Sequence, residues 1–450
     1  MKTIILKRLL LLTLATSLGC SHAAAQVFSP LHEFNGERND ADTPFAGLVL
    51  SGNTLYGTTI GGGSQGGGTV FSIHTDGTGY TNLCSFDGFD GLSPFAGLVL
   101  SSNILYGTTE SGGMYYYLGT VFAVNTDGTD FTNLCVFNGG SNGAKPYAGL
   151  LLSGNTLYGT TESGGSSNVG TVFAVNTDGA SFTNLHNFTG GDGANPYAGL
   201  VLSGNTLYGT TYYGGSSSNG TLFAIHTNGT GYTNLYSFTA LNSGTNSDGA
   251  NPYAGLMLSG NTLYGTAEQG GSFGNGTIFR INTDGTGFTN VYNFTGGDDG
   301  ANPDAGLLLS GNTLYGTAVN GGEDGVGTVF AVNINGTNFT TLTDFFPDGY
   351  DGISPEAGLL LSGNTLYGTT FGWSSGEGSS VFALSLGSIP LNIQSSGQNL
   401  VLTWGNPAFS LQSEPSLTGQ WTTVSNAASP YTISATNAQA FFRLFYTNSP

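Results

Sequence analysis

A chain of 450 residues with 76 glycines and only 8% charged side chains, yet 38% hydrophobic and 12% aromatic, is neither a disordered linker nor a charge-rich helical protein. It has the apolar material for a core and the glycine for many tight turns. Seven Lys and Arg against 27 Asp and Glu exclude a function driven by phosphate contacts, because such a surface repels nucleic acid and anionic headgroups alike.

Residues 1–25 read as a secretory signal: Lys2, Lys7 and Arg8, then an apolar run from Leu9 to Leu14, then Ala23-Ala24-Ala25 as an A-x-A cleavage site. Lipidation at Cys20 is the alternative, although Ser17 stands where a lipoprotein signal carries Leu. Either route gives a secreted or cell-surface protein. Cleavage leaves four basic side chains, Arg38, Lys145, Arg280 and Arg443. No later segment has the ~20 consecutive apolar residues of a membrane-spanning helix.

The first strand signal of the mature chain is Phe28-x-x-Leu31-x-x-Phe34. A phrase of the form L-S-G-N-T-L-Y-G-T follows and recurs, with its Tyr at 56, 106, 158, 208, 264, 315 and 367. A period near 50 residues indicates a solenoid or a propeller. In the third copy Ala148–Leu152 is a short apolar strand and Gly154-Asn155 a two-residue hairpin turn. Thr156–Thr161 is the second strand, Glu162–Gly170 a variable loop, and Thr171–Val175 the third strand. Asn176–Gly179 turns again, and Phe182–Phe188 is the fourth strand. Nothing has helical periodicity. Four antiparallel strands repeated radially make a propeller blade.

The ends decide for a closed ring. The seventh copy has three strands (357–361, 365–370 and 380–384) and lacks the fourth. The N-terminal Phe28–Phe34 matches Tyr80–Phe86 of a complete copy, so it supplies that strand and removes an open edge. The expectation is an all-β chain: a seven-bladed β-propeller over 26–387, closed by the N-terminal strand. A small β-sandwich-like domain over 388–450 follows, with strands at 399–404, 421–424, 431–434 and 441–445. We read the protein as a monomer.

The tandem A-G-L-x-L-S-G-N-T-L-Y-G-T units, each followed by G-T-V-F-A-V-N-T-D-G-T-x-F-T-N-L, resemble the bacterial choice-of-anchor tandem repeat GloVer-containing family over about 26–386. The resemblance implies secreted proteins with shared repeats and varied C-terminal attachment. It implies no activity and no catalytic residue.

Two connections of each blade should share one face: the link between blades and the loop between strands two and three. The link carries Asp40, Asp90, Asn142, Asp192, Asp248, Asp299 and Asp351 four residues before a Pro. Six Asp form a candidate ring of Ca²⁺ ligands, or else Asx turns that cap their own backbone. The variable loops carry Tyr115, Tyr116, Tyr117, Tyr212, Tyr213, Phe273, Phe371 and Trp373, with Glu110, Glu162, Glu268 and Glu323. Aromatic faces beside acids suit sugar rings, while loop drift with aromatic packing explains the same letters. Cys84 and Cys135 hold equivalent places in adjacent copies, which permits a disulfide or two small packed side chains. The G-x-S-x-G matches at Gly62–Gly66 and Gly270–Gly274 lie in glycine-rich loops, and no metalloprotease or phosphate-binding motif occurs. The reading is a non-enzymatic propeller that binds an extracellular glycan or protein, or serves as a structural surface module. A propeller glycosidase or polysaccharide lyase using carboxylates of the same face, such as Glu110 with Glu162, is the alternative.

Overall fold

The computed structural model describes residues 27–35, 40–114, 117–347, 352–372 and 378–386. Beyond 386 it describes 392–396, 399–403, 409–414, 422–424, 430–434 and 441–446. The repeats fold into seven four-stranded antiparallel sheets arranged as a propeller. Blade 1 comprises Val49–Ser51, Thr54–Thr59, Thr69–His74 and Thr81–Ser85. Blades 2 to 6 repeat it; blade 3, for example, comprises Leu151–Ser153, Thr156–Thr161, Thr171–Asn176 and Thr183–Asn187. The first strand is shorter than the apolar run proposed from sequence, because the Ala-Gly before it makes no ladder.

The seventh blade takes its outer strand from the other end of the chain. Leu360–Ser362, Thr365–Thr370 and Ser379–Ser385 are joined by Val27–Phe34, which pairs antiparallel with Ser379–Ser385. The ring therefore closes as the displaced strand required, and the open edge disappears.

Alternation along the second strand divides the core between neighbouring blades. In blade 3 Leu157 packs toward blade 2, with Tyr106, Val121, Phe137 and Phe173. Tyr158, one residue on, packs toward blade 4 with Phe188, Leu207 and Phe223. A period of two is what a strand with both faces covered demands. Each interface carries an edge-on phenylalanine pair at the same place, such as Phe86–Phe122 at 5.2 Å and Phe188–Phe223 at 5.3 Å. At the closure the pair is Phe34–Phe71 at 5.4 Å, across the N-terminal strand. Such pairs contribute about 0.5–1.5 kcal/mol each beyond their burial.

The Gly of L-Y-G-T makes room for these rings. A Cβ on Gly209 would lie 2.6 Å from Cζ of Phe223 and 2.8 Å from Cδ2 of Leu200. The Gly of S-G-N-T has a different reason: it sits at φ near +60°, with nothing around it. Ser102 takes that turn in blade 2 and is held at φ 55°. The C-terminal segments form two three-stranded antiparallel sheets. One joins Asn392–Ser396, Asn399–Thr403 and Tyr431–Ser434; the other joins Thr422–Thr423, Phe409–Glu414 and Phe441–Tyr446. Among the described residues no helix is long and apolar enough to cross a membrane.

These two glycine roles separate in a denaturation experiment. Gly209→Ala should lower stability by about 1–3 kcal/mol through overpacking. Ser102→Gly should raise it by about 1 kcal/mol by relieving a left-handed serine. Urea midpoints of the two variants check this; a neutral Gly209→Ala would sink the packing account.

Candidate functional site

The link into each blade ends in a strained residue, a proline, one variable residue and Ala-Gly. The residue before the proline is left-handed in all seven links: Thr43, Ser93, Lys145, Asn195, Asn251, Asn302 and Ser354 have φ between 50° and 57°. Both proline and β-carbon sterics oppose this, so the surroundings must enforce it. They do so by pairing the link with the loop between strands two and three, as in Ala144 with Ser163 and Ala250 with Gln269. Side-chain amides add a second clasp: Asn195 donates to the Glu162 carbonyl (3.2 Å), Asn251 to Tyr212 (3.0 Å) and Asn302 to Glu268 (3.1 Å). The two connections thus share one face.

The variable residue after each proline lines the axis. Phe45, Phe95, Tyr147, Tyr197, Tyr253, Asp304 and Glu356 form a ring, one per blade, around a cavity of about 180 Å³. The Ala-Gly pairs that follow line the rest of it. Phe95 stacks on Tyr147 with centroids 4.3 Å apart, and Tyr197 on Tyr253 at 5.3 Å. Burial pushes the Tyr147 and Tyr253 phenols up from their ordinary range. The two acids close the ring. Burial raises Asp304 well above a normal carboxylic acid, with Glu268 and Glu356 adding to the effect. Burial, then Glu268, pushes Glu356 up to about 7. The buried Oδ1 of Asp304 has no hydrogen-bond partner.

Several loop residues singled out from the sequence converge on this mouth. Glu110 and Glu162 are bridged by Lys145, whose Nζ lies 3.1 Å from one and 3.9 Å from the other. The Tyr197 hydroxyl donates to Glu162 (3.1 Å), and the Tyr212 hydroxyl to Glu268 (2.5 Å). Tyr212 also packs edge-on against Tyr197 and Tyr253, and Phe371 against Phe45. Tyr213 leans on Tyr212 and is half-exposed. Tyr117 and Phe273 are exposed. Tyr115, Tyr116, Trp373 and Asp351 lie outside the described residues. The ring itself escaped the sequence reading. Its signal was a single changing letter, F-F-Y-Y-Y-D-E, inside the otherwise constant P-x-A-G-L.

The link aspartates do not line the cavity. Asp192 accepts from the Thr189 amide and hydroxyl (both 2.8 Å) and faces Nε2 of His186 at 3.0 Å. Asp248 accepts from the Tyr236 hydroxyl and the Thr239 amide, and Asp299 from Tyr292 and the Thr295 amide. Burial alone would raise Asp40, but His32 and the Asn35 and Ala41 amides outweigh it and hold it low. Asn142 accepts from the Asn138 amide instead. Asp90 is raised by burial and by Asp87. Each of these side chains belongs to its own blade, and among the described residues no three metal-ligating groups come together. Cys84 and Cys135 are free thiols, so the bridge their places allow is not formed. Burial pushes both up to about 12, and they serve as packed side chains at successive interfaces.

The mouth acids set a pH dependence. A carboxyl with a raised folded pKa binds more protons folded than unfolded, so stability falls as pH rises between the two values. For Glu356 that window runs from its ordinary 4.5 to about 7. Asp304→Asn with Glu356→Gln should therefore raise stability at pH 8 by about 1–3 kcal/mol and change little at pH 4. Thermal melts at the two pH values check it; a larger gain at pH 4 would reverse the sign.

Among solved structures, similarity is found to a nidogen/laminin complex (14% identity, 64% of this chain and 92% of that one, TM-score 0.41). It is also found to a GH74 enzyme of Niastella koreensis (15% identity, 88% of this chain and 60% of that one, TM-score 0.47). No curated protein matches the sequence. The Gloeobacter/Verrucomicrobia repeat matches three times, over 21–152, 94–246 and 237–393, and the chain belongs to that repeat family.

Proposed function

We propose that the protein is a secreted or surface-attached binding module that takes a carbohydrate ring at its axial mouth. One observation carries the reading: five aromatic rings and two acids, supplied by seven different blades, line one open cavity on the axis. Aromatic faces accept the C–H faces of a sugar, and carboxyl and phenol groups accept or donate to its hydroxyls. The volume suits one small ring rather than a drug-sized ligand of ~300 Å³ or more. The signal sequence supports delivery outside the cell, and the changed composition after Gly387 supports a separate C-terminal attachment unit.

The glycosidase or lyase alternative needs a carboxylate pair with divided roles. Lys145 engages both Glu110 and Glu162. Of the acids that remain, Asp304 and Glu356 are both driven toward protonation, and Glu268 accepts from the Tyr212 hydroxyl, so no carboxylate is held free as nucleophile or base. Binding is therefore the better reading.

Glycan-array binding of the intact protein tests this, followed by titration of the best oligosaccharide. Phe95→Ala and Tyr197→Ala should each weaken binding about tenfold or more. Phe273→Ala, at an exposed loop tip, should leave it unchanged. Absence of binding to any glycan, or steady release of reducing ends from a bound polysaccharide, overturns the proposal.

A further inference from the structure

We infer that the ligand of the axial cavity presents a protonated amine, so that the sugar bound there is an amino sugar with its amine free. This rests on the carbohydrate reading above and narrows it. The argument starts from charge. Asp304 and Glu356 face the cavity, and Glu268 stands behind them, close enough to raise both. Glu268 already accepts from the Tyr212 hydroxyl (2.5 Å) and from Gln269 (3.3 Å). Asp304 has no such donor: its Oδ1 is withdrawn from solvent and unpartnered. A buried carboxyl oxygen without a donor is rare and costs free energy unless something brings a donor to it.

The protein does not supply that donor. Among the described residues Lys145 is the basic side chain of the mouth, and it is bonded to Glu110 and Glu162, in the loops of blades 2 and 3. A bare metal ion does not suit the place either, since no three ligating groups converge among the described residues. What fits is a larger cation that reaches both carboxyls and lies among the rings. Phe45, Phe95, Tyr147, Tyr197 and Tyr253 line the cavity with aromatic rings, and a desolvated ammonium is attracted by the quadrupole of any ring face it reaches. An ammonium has three donors, enough for Asp304, Glu356 and one phenol.

Titration calorimetry of the full mature chain at pH 6 tests the inference. The probes are glucosamine oligomers, their N-acetylated counterparts of equal length, and spermidine. The free-amine oligomer should bind at least about tenfold more tightly than the acetylated one, as an unpaired buried charge demands. Bringing an ammonium to Asp304 and Glu356 should also ionise them, so the heat should vary with buffer ionisation enthalpy and report proton release. Asp304→Asn and Glu356→Gln should abolish both the preference and the proton release, while circular dichroism and melts show each variant folded. Equal binding of acetylated and free-amine oligomers overturns the amine and leaves the carbohydrate reading standing. Spermidine binding without any oligosaccharide upholds the amine and overturns the carbohydrate. Failure of all three probes overturns the inference.

Discussion

The whole molecule depends on how closely seven strands approach one axis. The glycine of each Ala-Gly pair rests on the glycine of the preceding blade: a Cβ on Gly97 would lie 3.1 Å from the Gly47 carbonyl oxygen, and one on Gly47 3.0 Å from that of Gly358. The alanine before it is fixed by a threonine hydroxyl of the previous blade. Thr58 donates to Ala96 (2.9 Å), Thr108 to Ala148 (3.0 Å) and, across the closure, Thr369 to Ala46 (3.1 Å). All these threonines are buried, so the bond is sheltered from water and a lost partner would be left unsatisfied. Backbone-on-backbone contact sets a narrow bore, and the residue before Ala-Gly has nowhere to go but the mouth of that bore.

The outer strands stabilise the mouth from a distance. One position of the fourth strand carries His32, His186, Tyr236 or Tyr292 in four of the blades. Each ring stacks on an aromatic of the next blade, at 3.9 Å for His32 on Tyr80 and 4.0 Å for Tyr236 on Phe288. The same side chain meets the link aspartate, Asp40, Asp192, Asp248 or Asp299. A single residue thus couples interface packing to the link that presents the next ring residue. Where it is Cys84 or Cys135 that coupling is missing, and the link into blade 3 is held by Asn142 and Lys145 instead.

The fold was legible because steric necessity repeats. A glycine that admits Phe223, or a turn with positive φ, dictates the same letter in every blade, and seven copies of one letter are hard to misread. The displaced strand was legible for the same reason: Phe34 had to be the missing partner of an interface. The aspartates of the links were legible as turn chemistry and as candidate ligands at once. Only their donors, drawn from the outer strand of each blade, show which groups they meet. The ring residues were illegible because their role comes from the axis. Seven residues separated by about 50 positions become neighbours only after closure, and their letters vary where the frame does not. Glu110, Glu162, Glu268 and Tyr212 were visible as loop chemistry, but not their convergence on one cavity.

The frame has sevenfold regularity, yet the ring it presents does not. Blades 1 and 2 offer phenylalanine, blades 3 to 5 tyrosine, and blades 6 and 7 the acids Asp304 and Glu356. Folding alone would be served better by aromatics all round, since each interface and the axis already tolerate them in five blades. Placing two carboxyls in a cavity that partly withdraws them from water, beside a third from Glu268, costs stability in the absence of a partner. Strained electrostatics held against the interest of the fold is the physical ground on which the binding proposal stands. The same asymmetry gives the cavity a direction, from an apolar wall through phenols to acid. A ligand bound on the axis would then have one orientation among seven otherwise equivalent blades.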